Sequence, residues 1–198
     1  MIWGGVMLYL TYTFVLYCFE VHFNKLFVLY CICLGLSFYS LINFLFKKYK
    51  EDIKAHFEKK SVTRFIGVYF IVIAVLFYFL WLAEIVPAII QNRIPKSVSD
   101  TGLFTNGVQV IDLAVILPAI FITGIFLLKR IAFGLILTPM ILTFFILMDI
   151  TIGILAVVMK VKEIEVDLSL TAIMIMLAIV SLGLLIWYMK SIKPGSLV

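Results

Sequence analysis

The chain has 198 residues, a formal net charge of +5 and a composition that is 65% hydrophobic and 14% charged. The polar residues are too few to cover a water-soluble globule of this length, and the composition therefore excludes a soluble protein. It predicts that lipid surrounds the chain. The positive charge does not indicate a nucleic-acid partner, because the basic residues lie in short segments between apolar runs. No linker, low-complexity tract or repeat divides the sequence, which predicts one transmembrane domain over residues 1–198.

Six apolar stretches are long enough to cross about 30 Å of hydrocarbon as helices, which takes roughly 20 residues each. We therefore predict an all-α fold, a polytopic transmembrane bundle whose spans lie near 2–19, 26–46, 65–90, 108–128, 131–159 and 168–189. The first span has no basic n-region and no small-residue cleavage site, so we expect a retained helix and not a secretory signal. Pro118 in the fourth span and Pro139 in the fifth predict local distortions of those helices.

The distribution of lysine and arginine predicts that both termini are cytoplasmic. In this orientation the cytoplasmic segments hold most of the basic residues, as the positive-inside rule requires. The predicted cytoplasmic loop 47–64 dominates the asymmetry. Its run KKYKEDIKAHFEKK is interpreted as a solvated helical extension lying against anionic headgroups, and its His56 is an ordinary surface residue.

Three carboxylates, Glu84, Asp112 and Asp149, interrupt stretches that are otherwise apolar enough to be spans. Ionisable groups in such stretches are rare and expensive, so these residues are the first candidates for a functional site. From a rise of about 1.5 Å per residue, we expect Glu84 roughly 9 Å and Asp112 roughly 6 Å below the outer boundary, and Asp149 roughly 16 Å down. The three depths predict a cavity that opens to the outside.

Neighbouring residues extend this predicted site. Trp81 shares a helix face with Glu84, and Gln109 shares a face with Asp112 as a second ligand. Every lysine and arginine falls at or beyond a span end, so a buried ion pair deep in the bundle is not expected. A structural role in hydrogen bonding between helices is the alternative for each carboxylate. We predict ligand-binding roles for Glu84, Asp112, Asp149, Gln109 and Trp81.

Other chemistry is weakly indicated. Glu20 and His22, at the outer end of the first span, are weak candidates for metal ligands at the mouth of the cavity. The sequence contains no C-x-x-C, H-E-x-x-H, Walker lysine or G-x-S-x-G motif, so no catalytic residue is identified and no cofactor is expected. Cys18, Cys31 and Cys33 lie in apolar spans and are interpreted as packing residues.

Two segments carry a resemblance. The segment WLAEIVPA contains Glu84, and the following segment TNGVQVIDLA contains Asp112. Together they resemble a group of uncharacterised bacterial integral membrane proteins with the pattern W-x-x-E-x-x-P-A and then T-N-x-V-x-x-x-D-L. The resemblance covers residues 79–129. It implies a bacterial membrane location and joins Glu84 and Asp112 in one pattern, without implying an activity.

These observations favour a multi-pass protein of the cell membrane that binds or transports a proton, a cation or a small cationic solute through an outward-facing cavity. One alternative is a membrane-embedded enzyme that acts on a lipid or another apolar substrate. It would use one carboxylate as general base and an outer metal bound by Glu20, His22 or Asp112. The missing nucleophile-and-base motif weighs against that enzyme. A second alternative is an accessory or structural subunit. The lack of an inverted repeat and the small size of the chain weigh against the transporter, and the small size would require a homo-oligomer.

Overall fold

The structure is a computed structural model and describes residues 1–49, 60–163 and 168–192. In this part of the chain all regular structure is helical. The elements are α1 (Ile2–Phe19), α2 (Phe27–Tyr49), α3 (Lys60–Ile90), α4 (Lys96–Thr101), α5 (Gly107–Ile111), a π-helical turn (Asp112–Ile116), α6 (Leu117–Leu128), α7 (Ala132–Val161) and α8 (Leu168–Met189).

The predicted all-α bundle of six spans is confirmed. Six helical segments in the described ranges are long and apolar enough to cross a membrane, with α5, the π-helical turn and α6 counting together as the fourth span. The spans α1 and α8 have the predicted bounds, and the others differ from prediction by no more than five residues at either end. α7 continues through Pro139 without a break in the helix. These helices suggest a multi-pass membrane protein.

The predicted loop 47–64 is described only at its two ends. α2 continues to Tyr49 and α3 begins at Lys60, so both helices run further into the loop than the apolar pattern predicted. Lys47 and Lys48 occupy the last turn of α2, where the negative end of the helix dipole favours positive charge. Residues 50–59, with His56, lie outside the described residues.

The fourth span, Gly107–Leu128, departs from a regular helix at Asp112. Over Asp112–Ile116 the backbone forms a π-helical turn, in which the Leu117 N–H donates to the Asp112 carbonyl five residues earlier. Pro118 follows directly. It has no N–H, and its ring clashes with the carbonyl four residues back in a regular α-helix. The wider turn accommodates Pro118. The local distortion that Pro118 predicts for the fourth span is therefore this π-helical turn.

Two close helix crossings hold the bundle together. Where α3 crosses α6, a Cβ added to Gly124 would lie 2.8 Å from the Gly67 carbonyl oxygen. Where α1 crosses α7, a Cβ added to Gly5 would lie 2.6 Å from the Met140 carbonyl oxygen. Transmembrane helices associate through such close backbone approach, because lipid supplies no hydrophobic driving force between them.

Helices α1 and α2 form a hairpin that brings two cysteines together. Cys18 Sγ lies 4.0 Å from Cys31 Sγ, and both thiols are free. Cys33 is two residues further along α2 and therefore lies about 200° away on that helix. The sequence pattern could not reveal the Cys18–Cys31 contact, because it depends on how the hairpin closes.

Mild oxidation with copper phenanthroline should join Cys18 to Cys31, since small side-chain rotations bring the two sulfurs within bonding distance. Mass spectrometry of the alkylated and digested protein would identify the linked peptides. Cys33→Ser is the matched control and should leave the linkage unchanged, whereas Cys31→Ser should abolish it. A preferred link from Cys18 to Cys33 would contradict this register of the hairpin.

Candidate functional site

A cavity of about 470 Å³ lies within the bundle. Its volume is in the range of small-molecule binding sites. Residues of α3, of the fourth span, of α7 and of α8 form its walls, and α1 contributes Tyr12. Glu84, Asp112 and Asp149 all line this cavity. The structure therefore brings the three carboxylates of the sequence prediction to one site.

Helical periodicity points these side chains inward. The lining residues of α3 are Tyr69, Ile73, Phe77, Leu80, Trp81 and Glu84. The lining residues of the fourth span are Val108, Asp112, Ile116, Leu117 and Ile120. Most of these intervals are three or four residues, the spacing that keeps side chains on one face of a helix. The same stripes that bury apolar side chains therefore also carry two of the carboxylates into the cavity.

Asp112 is held by hydrogen bonds from two other helices. The Tyr12 hydroxyl of α1 donates to Asp112 Oδ1 over 3.1 Å. The Trp81 indole N–H of α3 donates to Asp112 Oδ2 over 3.1 Å. Each carboxylate oxygen thus has a donor, and one side chain ties three helical segments together. Asp112 also begins the π-helical turn, so the local distortion helps to set its position.

Glu84 ties the end of α3 to α4 and α5. Its Oε1 accepts the backbone N–H of Ser97 over 2.9 Å, and its Oε2 accepts the side-chain amide of Gln109 over 2.7 Å. Gln109 is only 5% exposed. Its backbone N–H donates to Asn106 Oδ1, which caps the start of α5. Gln109 shares a face with Asp112 in the sequence pattern, but the carboxylate that it contacts is Glu84.

The short helix α4, which the sequence did not predict, depends on this contact. Its N-cap residue is Pro95, which makes no side-chain capping bond. Glu84 supplies the acceptor for the Ser97 N–H in the first turn instead. At the other end Gly102, with φ of +66°, terminates α4 in the left-handed conformation that glycine adopts without strain.

Asp149 has a different environment. It is 8% exposed and lines the cavity from α7. Within the described part of the chain its carboxylate has no hydrogen-bond or ion-pair partner. None of the described lining residues is basic. Among the three carboxylates, Asp149 is therefore the one whose oxygens are open to a ligand in the cavity.

The carboxylates occupy different levels of the cavity. The rings of Phe70 on α3 and Phe145 on α7 pack edge to face with centroids 6.0 Å apart. Consecutive spans cross the bundle in opposite directions, so α3 and α7, the third and fifth spans, run in the same direction. Asp149, one turn beyond Phe145, is therefore roughly level with Ala74, one turn beyond Phe70. Glu84 is ten residues further along α3, which corresponds to roughly 15 Å. Glu84 thus stands near one end of the cavity, beside α4, and Asp149 stands toward the other.

Glu20 and His22 lie apart from this arrangement. The Glu20 carboxylate accepts the backbone N–H of Gly107 at the start of α5. A Cβ at position 107 would lie 2.8 Å from Glu20 Oε1, so a larger residue there would require the Glu20 side chain to shift. His22 is exposed in the turn after α1. In the ranges that the structure describes, no three His, Cys, Asp or Glu side chains are placed to hold a metal ion.

Three site residues were missed by sequence reasoning: Tyr12, Tyr69 and Ser181. Tyr12 is a donor to Asp112, and the hydroxyls of Tyr69 and Ser181 share a hydrogen bond of 3.3 Å across the cavity wall. The only signal in the sequence is the presence of hydroxyl groups inside apolar spans, where they need a protein partner. Many other tyrosines in the chain give the same signal, so it does not select these residues.

Comparison with protein-family models, with curated proteins and with solved structures gives no match for this chain. Its function is therefore argued from the site.

Proposed function

We propose that this chain is a multi-pass protein of the cell membrane that binds and transports a proton, a cation or a small cationic solute, with Asp149 as the binding carboxylate. The observation that carries the proposal is the carboxylate of Asp149 in the cavity wall, which has no hydrogen-bond or ion-pair partner among the described residues. A charge in the middle of a span costs at least about 2.5 kcal/mol, so a group without a protein partner is stabilised by a proton, a bound cation or water. In the proposed site a cation binds reversibly to the Asp149 carboxylate.

The proposed orientation has both termini in the cytoplasm, in keeping with the positive-inside rule. The third and fifth spans, α3 and α7, then run outward, so Glu84 and α4 lie at the outer end of the cavity. A bound cation would pass between this outer end and the deeper level of Asp149. The small size of the chain makes a homo-oligomer the expected transport unit.

An enzyme is less well supported by the same geometry. General base catalysis on a lipid needs a free carboxylate beside a nucleophile. Both oxygens of Asp112 and both of Glu84 accept hydrogen bonds from the protein. The Ser181 hydroxyl in the lining is bonded to Tyr69 and not to a carboxylate. An accessory or structural role would not require a cavity with an open carboxylate at Asp149, so it is also less well supported.

Asp149→Asn should abolish cation-dependent stabilisation of the folded protein. A ligand that binds only the folded state stabilises it by about 2.7 kcal/mol at a concentration of 100 Kd, which raises Tm by several degrees. We would measure Tm of the protein in lipid nanodiscs with sodium, potassium, methylammonium and acid. The wild type should respond to at least one of these cations, and Asp149→Asn should not.

The matched control is Asp100→Asn, the same chemical change at an exposed position on α4. It should keep the wild-type response. Asp149→Asn should itself fold, because it removes a buried charge and, in the ranges that the structure describes, no hydrogen bond to the Asp149 side chain. A cation response that survives in folded Asp149→Asn would reject the proposal.

A further inference from the structure

The surroundings of Asp149 favour one class of cation. Hard metal cations such as calcium and magnesium take about six or more oxygen ligands. The lining residues beside Asp149 on α7 and opposite it on α8 carry no oxygen in their side chains: Phe145, Met148, Ile152, Met174 and Leu177. The Tyr69 hydroxyl interacts electrostatically with Asp149 but is already bonded to Ser181. An organic ammonium needs a single carboxylate and apolar contact for the rest of its surface. The lining therefore suits a monocation that carries an apolar body.

The remaining walls fit such a body. Tyr69, Phe77 and Phe145 present aromatic rings to the cavity, and rings attract an ammonium group as well as apolar carbon. Met148 and Met174 have flexible, polarisable side chains, which adapt to different apolar shapes. The volume of about 470 Å³ holds a small organic molecule beside the carboxylate.

The contacts between α3 and α8 indicate that the cavity opens sideways between these two helices. The two helices meet at one end, where the rings of Phe65 and Trp187 lie 5.7 Å apart and Tyr69 bonds to Ser181. Beyond that end the cavity lies between them, with Phe77 on one side and Leu177 on the other.

Leu80 and its neighbours on α3 show which surroundings the opening faces. The cavity is partly open, and Leu80, which lines it and is 52% exposed, marks this side of the opening. The adjacent outer surface of α3 is apolar, with Leu76 and Phe79 exposed. In a membrane this surface faces acyl chains, and a molecule dissolved in the bilayer has direct access to the cavity.

We infer that the ligand of this cavity is an amphiphilic organic ammonium, with one cationic nitrogen on an apolar body, which enters from the bilayer between α3 and α8 and places its nitrogen against Asp149. This inference rests on the proposed function and narrows it to a ligand class and a route. The carboxylate supplies the charge contact, and the aromatic and methionine side chains supply the contact with the body.

The test compares four probes on the protein in nanodiscs: 4-phenylbutylammonium, its neutral analogue 4-phenylbutanol, tetramethylammonium and sodium. We expect 4-phenylbutylammonium to raise Tm more than any of the other three probes does. Asp149→Asn should raise its Kd by about tenfold or more, the loss expected for a charge-assisted contact in an apolar cavity. Asp100→Asn should leave that Kd unchanged.

Labelling of the wild type gives a second measurement that does not depend on a variant. Dicyclohexylcarbodiimide adds to carboxyl groups in apolar surroundings, and mass spectrometry reports the adduct on each peptide. Bound 4-phenylbutylammonium should protect the peptide that contains Asp149, and 4-phenylbutanol should not. Protection by both compounds would show that the charge is not recognised and would overturn the inference.

The outcomes separate this inference from the proposed function. A response to sodium, acid or tetramethylammonium that requires Asp149, without a response to 4-phenylbutylammonium, overturns the ligand class and leaves the proposed function standing. No response to any cation overturns both. For the route, Leu80→Trp should slow association of 4-phenylbutylammonium, whereas Phe79→Trp, at an exposed position outside the lining, should not. Equal association rates in the two variants would reject access from the bilayer.

Discussion

Replacement of Asp112 by alanine should lower the free energy of unfolding by about 1–3 kcal/mol. The substitution removes the acceptor for the Tyr12 hydroxyl and for the Trp81 indole N–H. Both donors then face a largely apolar cavity, where a polar group without a partner is penalised. Reversible unfolding in mixed detergent micelles, followed by circular dichroism, would measure the loss.

Two variants make this result specific to the hydrogen bonds. Asp112→Asn keeps one acceptor oxygen where aspartate has two, so it should lose less stability than Asp112→Ala. Asp100→Ala changes an exposed carboxylate on α4 and should shift the free energy of unfolding by no more than about 0.5 kcal/mol. If Asp112→Ala lost no more stability than Asp100→Ala, Asp112 would not tie the helices together.

The spans were predictable because the thickness of the hydrocarbon layer fixes their length and apolar character. Where helices continue beyond that layer, hydropathy carries no signal. For this reason the start of α3 at Lys60 was missed, and so was the polar helix α4. α4 is six residues long and has no side-chain cap of its own. Its first turn relies on Glu84, a residue on a different helix.

The candidate site was predictable in its members but not in their contacts. The carboxylates stood out because of the energetic cost of charge in a span. Their partners, however, come from distant helices: the donors to Asp112 are 100 and 31 residues away in sequence. Only the packing of α1 and α3 against the fourth span shows that Asp112 has donors for both oxygens while Asp149 has none among the described residues.

Glu84→Ala should release α4 from the bundle. The substitution removes two hydrogen bonds to a carboxylate, each worth about 1.5–3 kcal/mol, although partial exposure of Glu84 reduces this. Amide hydrogen exchange at residues 97–101 should then become about tenfold faster or more, since 1.4 kcal/mol corresponds to a factor of ten. Exchange in α6, which lies outside this contact, serves as the internal control.

Glu84→Gln distinguishes a structural role of Glu84, in holding α4, from a role in ligand binding. The amide keeps an acceptor oxygen for the Ser97 N–H, and the Gln109 amide can turn to accept from it, so α4 should stay protected from exchange. If Glu84 only holds α4 in place, this variant should respond to cations as the wild type does. The level of Asp149 on α7 is roughly 15 Å from that of Glu84, measured along the axis of α3. Loss of the response with α4 still protected would place Glu84 among the ligand-binding residues, as its sequence position alone predicted.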